Sequence, residues 1–202
     1  MHNKPIGAQQ LDAALTMLSE LLSFYDSEPV HIVVCGGSAL IALELVIRTT
    51  RDLDILAMWD HGMLIAPVPL PDKLCKAADE VCKALKLPDN WLNNGPSSNN
   101  GGLFQMGLPD GLEKRTFAKT YGKILTVSFI GRIDQIYFKL WASIDQGGYH
   151  IDDLLKLNPT PDEITNAARW TMEKDVSEGY RFVLIEFLEK TGFNNVIKRI
   201  TQ

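Results

Sequence analysis

The part of the sequence that best indicates a chemical function begins with a glycine corner, Gly36-Gly37-Ser38. The corner comes directly after residues 30–35, an apolar and mostly β-branched run that predicts a strand buried on both faces. Two glycines at this place let the backbone turn tightly and approach a ligand closely, and the amide groups at the start of a following helix would face that ligand. Such a corner suits a phosphate.

A pair of aspartates follows the glycine corner after thirteen intervening residues. Asp52 and Asp54 alternate about Leu53 at the start of the next predicted strand, so both carboxylates point to the same side, about 7 Å apart along the chain. Two hard oxygen ligands at that spacing can hold Mg²⁺, which would bridge triphosphate oxygens beside the glycine corner. Alone, Gly-Gly-Ser is usually a turn and Asp-x-Asp is often a surface pair. Their order and spacing together predict a phosphoryl-transfer site.

The elements that must position these residues are predicted from hydrophobic periodicity. Around the site we expect an α/β fold, a mixed β-sheet flanked by helices, over residues 1–144. A helical C-terminal extension over 145–202 is expected to pack on it. The capping box that begins at Thr160 predicts one helix start, and Asp152 or Asp153 is the expected N-cap of another. Other predicted segments are helices over 9–25, 74–85, 133–144 and 180–188, strands over 53–57 and 124–130, and a Gly/Asn-rich loop over 93–102.

Composition and charge set limits on the function classes. The chain has 202 residues, 46% of them hydrophobic, and a net charge of −5, so as a whole it is not a polyelectrolyte that binds nucleic acid. No apolar run approaches the ~20 residues that span a bilayer, and the first ten residues lack the pattern of a signal peptide. We therefore expect a soluble, cytoplasmic protein with no membrane partner. Six basic residues against one acid over 114–139 indicate either a solvated face or a local site for phosphates.

The glycine corner and the aspartate pair together resemble the signature of the nucleotidyltransferase (DNA polymerase β-like) superfamily. That signature has a hydrophobic residue, Gly-Gly or Gly-Ser, nine to thirteen residues, and two acids separated by one hydrophobic residue. Gly37-Ser38 and Asp52-Leu53-Asp54 meet it at the upper limit of the spacing. Residues 48–54, RTTRDLD, look like the bacterial minimal nucleotidyltransferases that include AbiEii-type toxins. The resemblance covers roughly residues 30–57 and, more weakly, 123–172.

The resemblance implies transfer of a nucleoside monophosphate from an NTP to an RNA or protein acceptor, with Mg²⁺ or Mn²⁺ as the cofactor. In the toxin branch the acceptor is often the 3′ end of tRNA, and an antitoxin-like protein partner restrains the enzyme. Carried over to this chain, Gly36, Gly37 and Ser38 bind the nucleotide. Asp52 and Asp54 are then the catalytic, metal-binding residues.

Three basic residues complete the nucleotide-binding set that the resemblance implies. Lys139 matches the position where members of the superfamily have a lysine that faces phosphate. The alternative interpretation is that Lys139 is a solvated lysine on a helix. Arg48 and Arg51 either neutralise phosphate or pair with Asp52 and Asp54.

One departure from the superfamily pattern keeps a second function open. Its members usually supply a third carboxylate from a later strand, whereas residues 124–130 contain no acid and carry Thr126 and Ser128 on their polar face. Asp134 lies just beyond that strand. The alternative to an enzyme is therefore a catalytically weak module that binds nucleotide or a protein partner on the same fold.

Overall fold

The computed structural model describes residues 5–98 and 102–201, and these form two compact units that divide between Gly131 and Arg132. The first unit contains a mixed β-sheet with helices and the second is helical, which confirms the predicted α/β class and the helical C-terminal part. The contact division falls before the helix that begins at Arg132, whereas the sequence places a boundary after residue 144. That helix packs against the next two helices of the second unit.

Within the described part of the first unit, six strands form the sheet. They are paired in the order β3-β2-β1-β6-β5, with β4 alongside β2. β1 runs parallel to β6 and β4 runs parallel to β2, whereas the other pairs are antiparallel, so the sheet is mixed. The strands are β1 (Val30–Cys35), β2 (Leu53–Asp60), β3 (Met63–Ile65), β4 (Leu92–Asn93), β5 (Thr116–Tyr121) and β6 (Leu125–Ile130).

Three helices accompany the sheet: α1 (Ala8–Phe24), α2 (Gly36–Ala42) and α3 (Asp72–Leu85). α1 forms where predicted because an apolar stripe at helical spacing is fully or almost fully buried (Leu11, Leu15, Leu18 and Leu22). α2 begins at the glycine corner itself and ends at Ala42, although the apolar run of the sequence continues to Val46. Strand β1 is buried as expected, with only His31 partly exposed.

The predicted loop over 93–102 is only partly described. Its first residues complete β4, and a short 3-10 helix follows at Gly95–Ser97. Residues 99–101 lie outside the described part of the chain.

Over residues 132–201 the second unit has five helices: α4 (Arg132–Asp145), α5 (Tyr149–Lys156), α6 (Pro161–Lys174), α7 (Glu178–Lys190) and α8 (Asn194–Ile200). The capping box at Thr160 is confirmed, because its hydroxyl accepts from the Glu163 amide while the Glu163 carboxylate accepts from the Thr160 amide. The prediction that Asp152 or Asp153 caps α5 is wrong. Gly148, at a positive φ, precedes the helix, so both aspartates lie inside it.

Within the described residues, no helix combines the length and apolar character needed to cross a bilayer.

Candidate functional site

The glycine corner and Asp54 are brought together by the antiparallel pairing of β1 and β2. Cys35, the last residue of β1, lies opposite Asp54. Gly36 has a φ of +70°, and a Cβ built on it would lie 2.6 Å from Asp54 Oδ2. A side chain at this position would therefore be strained in the backbone and would displace the carboxylate. Only glycine lets the Asp54 oxygen lie directly against the turn.

Gly37 makes the corresponding close approach to the segment that precedes the aspartates. A Cβ on Gly37 would lie 2.6 Å from Thr50 Oγ1 and 2.7 Å from Arg48 Nη2. Thr50 Oγ1 in turn lies 3.2 Å from Asp52 Oδ1 and donates to it. Residues Arg48 and Thr50 therefore lie over the glycine corner, and the Thr50 hydroxyl connects that corner to the Asp52 carboxylate.

Thr50 links the corner to Asp52, although its residue type did not mark it as a site residue. It is 6% exposed and is held by a two-way backbone bridge. The Ile6 amide donates to the Thr50 carbonyl at 2.7 Å, and the Thr50 amide donates to the Ile6 carbonyl at 2.9 Å. Its place beside Asp52 is the only sequence signal for this residue, because the bridge to Ile6 spans more than forty residues of chain.

The two carboxylates share a partly exposed face of the strand, as the alternation predicts. Leu53 and Ile55 are fully buried, whereas Asp52 and Asp54 are half-buried. The parallel pairing of β4 with β2 places Asn93 next to Asp54. The pair therefore lies at the beginning of β2, next to the end of β1, with Asp54 Oδ2 against Gly36 and Asp52 Oδ1 accepting a hydrogen bond from Thr50.

The other predicted residues of this region differ in their accessibility. Ser38 is fully buried, and its hydroxyl donates to the Cys35 carbonyl at 3.3 Å. Arg48 lies over Gly37 and donates from Nη1 to the Thr49 carbonyl at 3.0 Å, whereas Arg51 is exposed. Their predicted roles toward phosphate stay predictions.

Lys139 belongs to the second unit. Its Nζ lies 2.8 Å from Asp153 Oδ2, and the two side chains are only 5% and 2% exposed. A longer contact of 3.5 Å joins Nζ to His150 Nδ1. The alternative that Lys139 is a solvated helix lysine is therefore wrong, because the helix buries it against a carboxylate.

The polar face of β6 carries a hydroxyl–imidazole contact and no acid. Ser128 Oγ lies 2.8 Å from His31 Nε2, and burial lowers the pKa of His31. Over residues 5–98 and 102–201, no group of three or more His, Cys, Asp or Glu side chains could hold a metal ion. The candidate donor set is thus the two carboxylates of Asp52 and Asp54. Their hard oxygens beside a Cβ-free turn fit a divalent cation that also carries phosphate ligands.

Comparison with known protein families, with curated proteins and with solved structures finds no match to this chain. The resemblance to nucleotidyltransferases thus depends on the residues of the glycine corner and the aspartate pair.

Proposed function

We propose that this protein is a Mg²⁺-dependent nucleotidyltransferase that moves a nucleoside monophosphate from an NTP to an RNA or protein acceptor. The observation that carries the proposal is the convergence of Asp54 and, through Thr50, Asp52 on the two glycines at the end of β1. This reaction requires a turn that approaches phosphate closely. It also requires two oxygen ligands for the cation that accompanies the phosphate.

In the proposed reaction the acceptor hydroxyl oxygen forms a bond to the α-phosphorus, the bond from that phosphorus to the bridging oxygen breaks, and pyrophosphate leaves. The metal ion, when bound, neutralises charge on the phosphate oxygens. Gly36 keeps Asp54 against the turn, and the Thr50 hydroxyl orients Asp52 toward the same place. The hydroxyl proton passes to water in this scheme, because β6 offers Thr126 and Ser128 rather than a carboxylate.

A second candidate, a nucleotide-binding module with weak catalysis, is favoured by that same polar face of β6. Ser128 is 1% exposed and in contact with His31, so it is not placed as an accessible base. The two candidates share NTP binding and differ in turnover.

Thermal unfolding with each NTP, with and without Mg²⁺, tests what both candidates share without knowledge of the acceptor. An NTP at 100 times its Kd adds ~2.7 kcal/mol to the free energy of unfolding. For a chain of this size that corresponds to an increase in Tm of about 5–11 °C. We expect an Mg²⁺-dependent increase with at least one NTP, and we expect Asp52→Asn/Asp54→Asn to abolish it.

The matched control is Asp60→Asn/Asp79→Asn, which removes two exposed carboxylates at other places in the first unit. This variant should keep the full response. If no NTP raises the Tm at saturating concentration, both candidates are wrong. A response without release of pyrophosphate in the presence of acceptor RNA or protein would favour the binding module.

A further inference from the structure

The free edge of the sheet at β5 carries the strongest local concentration of positive charge on this acidic chain. Residues 114–123, which we name the β5 edge, contain four basic residues and no acid (Lys114, Arg115, Lys119 and Lys123). Among the described residues, β5 is the last strand of the sheet on this side, and its backbone pairs with β6 alone. The three lysines are exposed.

An exposed aromatic ring lies among these charges. Phe117 is 58% exposed, although a Phe in a β-strand ordinarily packs inward. Phe117 and Lys119 alternate along β5 and therefore share one face of the sheet. Lys119 is paired with Asp12 at 2.5 Å, but both side chains are about half exposed, so the pair is screened and exchangeable.

Strand register places one end of the β5 edge level with the aspartate pair. Cys35 lies opposite Asp54, the neighbouring Val34 lies opposite Phe129, and Phe129 lies opposite Phe117. The N-terminal end of β5 is thus at the same end of the sheet as Asp54, three strand spacings or about 14 Å away. The same register puts the side chains of Phe117 and Lys119 on the opposite face of the sheet from Asp54, so a bound strand passes around this end of the sheet and needs more than the about four stacked nucleotides that cover 14 Å.

We propose that the β5 edge binds single-stranded RNA and leads its end toward the aspartate pair. One lysine within a strand and one just beyond each of its ends can neutralise phosphates along a bound chain, and an exposed ring offers a face on which a base stacks, the combination used by proteins that bind single strands. The charge complementarity favours a polyanion, and the ring favours one with unpaired bases. RNA would then be the acceptor in the proposed nucleotidyl transfer, and this inference rests on that proposed function.

Fluorescence anisotropy with a labelled single-stranded RNA of mixed sequence, without NTP or Mg²⁺, tests the proposal. Each phosphate contact on a single strand contributes ~0.7 to the slope of log K against log salt. Lys114→Gln/Lys123→Gln should therefore reduce that slope by about 1.4 in magnitude. Phe117→Ala should weaken binding roughly fivefold or more at every salt concentration.

The matched control is Lys83→Gln/Lys86→Gln, which removes the same charge from exposed positions at the end of α3. It should leave the slope unchanged. No binding at low salt, an equal loss in the control, or equally tight binding of duplex RNA would overturn the proposal. So would preferential binding of an acidic peptide that the same lysine variant abolishes, because the partner would then be a protein.

The outcome is independent of the NTP experiment. Asp52→Asn/Asp54→Asn should keep its RNA affinity even though it loses the response to NTP. RNA binding that disappears with the two aspartates would place the RNA site elsewhere and contradict the role of the β5 edge.

Discussion

The glycine corner with its aspartates and the Lys139–Asp153 pair are two charged clusters that the chain builds in opposite ways. In the first unit, Asp52 and Asp54 are half-buried and lie next to backbone that has no Cβ. In the second unit, Lys139 and Asp153 are almost completely buried and 2.8 Å apart. The first arrangement keeps both carboxylates partly exposed to solvent, whereas the second buries both charges against each other.

The difference in burial determines what each cluster can contribute. A half-buried carboxylate keeps lone pairs available for a cation, so its charge can serve binding. A buried ion pair has already lost its hydration, and removing one partner leaves the other charge uncompensated. The first cluster should therefore affect ligand binding more than stability, and the second should do the reverse.

Breaking the buried pair should give the largest effect on stability. Lys139→Met leaves the Asp153 carboxylate buried without its ammonium partner, and we expect a loss of about 3–5 kcal/mol in the free energy of unfolding. The companion variant Lys139→Met/Asp153→Leu removes both charges and should recover most of that loss. Urea denaturation monitored by circular dichroism measures both.

The double variant also tests the nucleotide-binding role that the resemblance implies for Lys139. If the pair is structural, the Mg²⁺-dependent increase in Tm with NTP persists in Lys139→Met/Asp153→Leu. Loss of that increase from a stably folded double variant would show that Lys139 contributes to nucleotide binding, and the contrast between the clusters would fail.

Filling the glycine corner should give the next largest effect, and it should act on the ligand response as well as on stability. Gly36→Ala places a Cβ at a φ of +70° and 2.6 Å from Asp54 Oδ2. The left-handed backbone alone costs about 1–2 kcal/mol, and the contact forces the carboxylate to move. We expect a lower Tm together with loss of the NTP response.

Gly62→Ala is the control for this substitution. Gly62 has a similar φ of +80°, but a Cβ there would meet no atom within 4 Å. It should show the backbone cost alone and keep the NTP response. Equal effects of the two substitutions on that response would mean that the position of Asp54 does not matter.

The extent to which the sequence predicted this site follows from the range of the interactions. The apolar run of β1, the alternation about Leu53 and the capping box at Thr160 are local signals, and each predicted its element. The proximity of the glycine corner to Asp54 was also predictable, because a single connection over residues 36–52, which contains α2, joins the end of β1 to the start of β2. These features needed only segments that follow one another in the sequence.

The features that were missed depend on contacts distant in the sequence. Thr50 acquires its position from the bridge to Ile6, and Asp153 acquires its role from Lys139 on another helix. β5 was missed because its side chains are mostly exposed on both faces at the edge of the sheet, so it has no apolar alternation to detect. Pairing with β6, rather than its own pattern, makes it a strand.

Removing the Thr50 hydroxyl should have a smaller effect. Thr50→Val keeps the shape but loses the hydrogen bond to Asp52 Oδ1, at a cost of about 1 kcal/mol. We expect a weaker, still measurable Mg²⁺-dependent Tm increase, since Asp52 is less well oriented while Asp54 is unchanged. Thr49→Val, at the exposed neighbouring position, should change neither quantity. An unchanged response in Thr50→Val would remove Thr50 from the site.

The smallest expected effect on stability comes from the ion pair of Arg132 with Glu163, which is partly exposed. The hydrogen bond from Arg132 holds the pKa of Glu163 below its ordinary value of 4.5. Because the folded-state pKa is lowered, the pair stabilises the protein above about pH 4.5, and this contribution is lost as the pH falls toward the lowered pKa.

Arg132→Met should flatten the acid side of the stability curve by less than about 1 kcal/mol, since the two side chains are 32% and 21% exposed. Arg132 also donates to the carbonyls of Leu157 and Asn158, but that loss is the same at every pH and lowers the whole curve. The control is Arg199→Met, because the partner of Arg199, Asp162, is 83% exposed. This variant should change the acid side of the stability curve still less. Urea denaturation between about pH 3 and 7 separates the two contributions, and identical slopes for wild type and Arg132→Met would show that burial of this pair is too slight to matter.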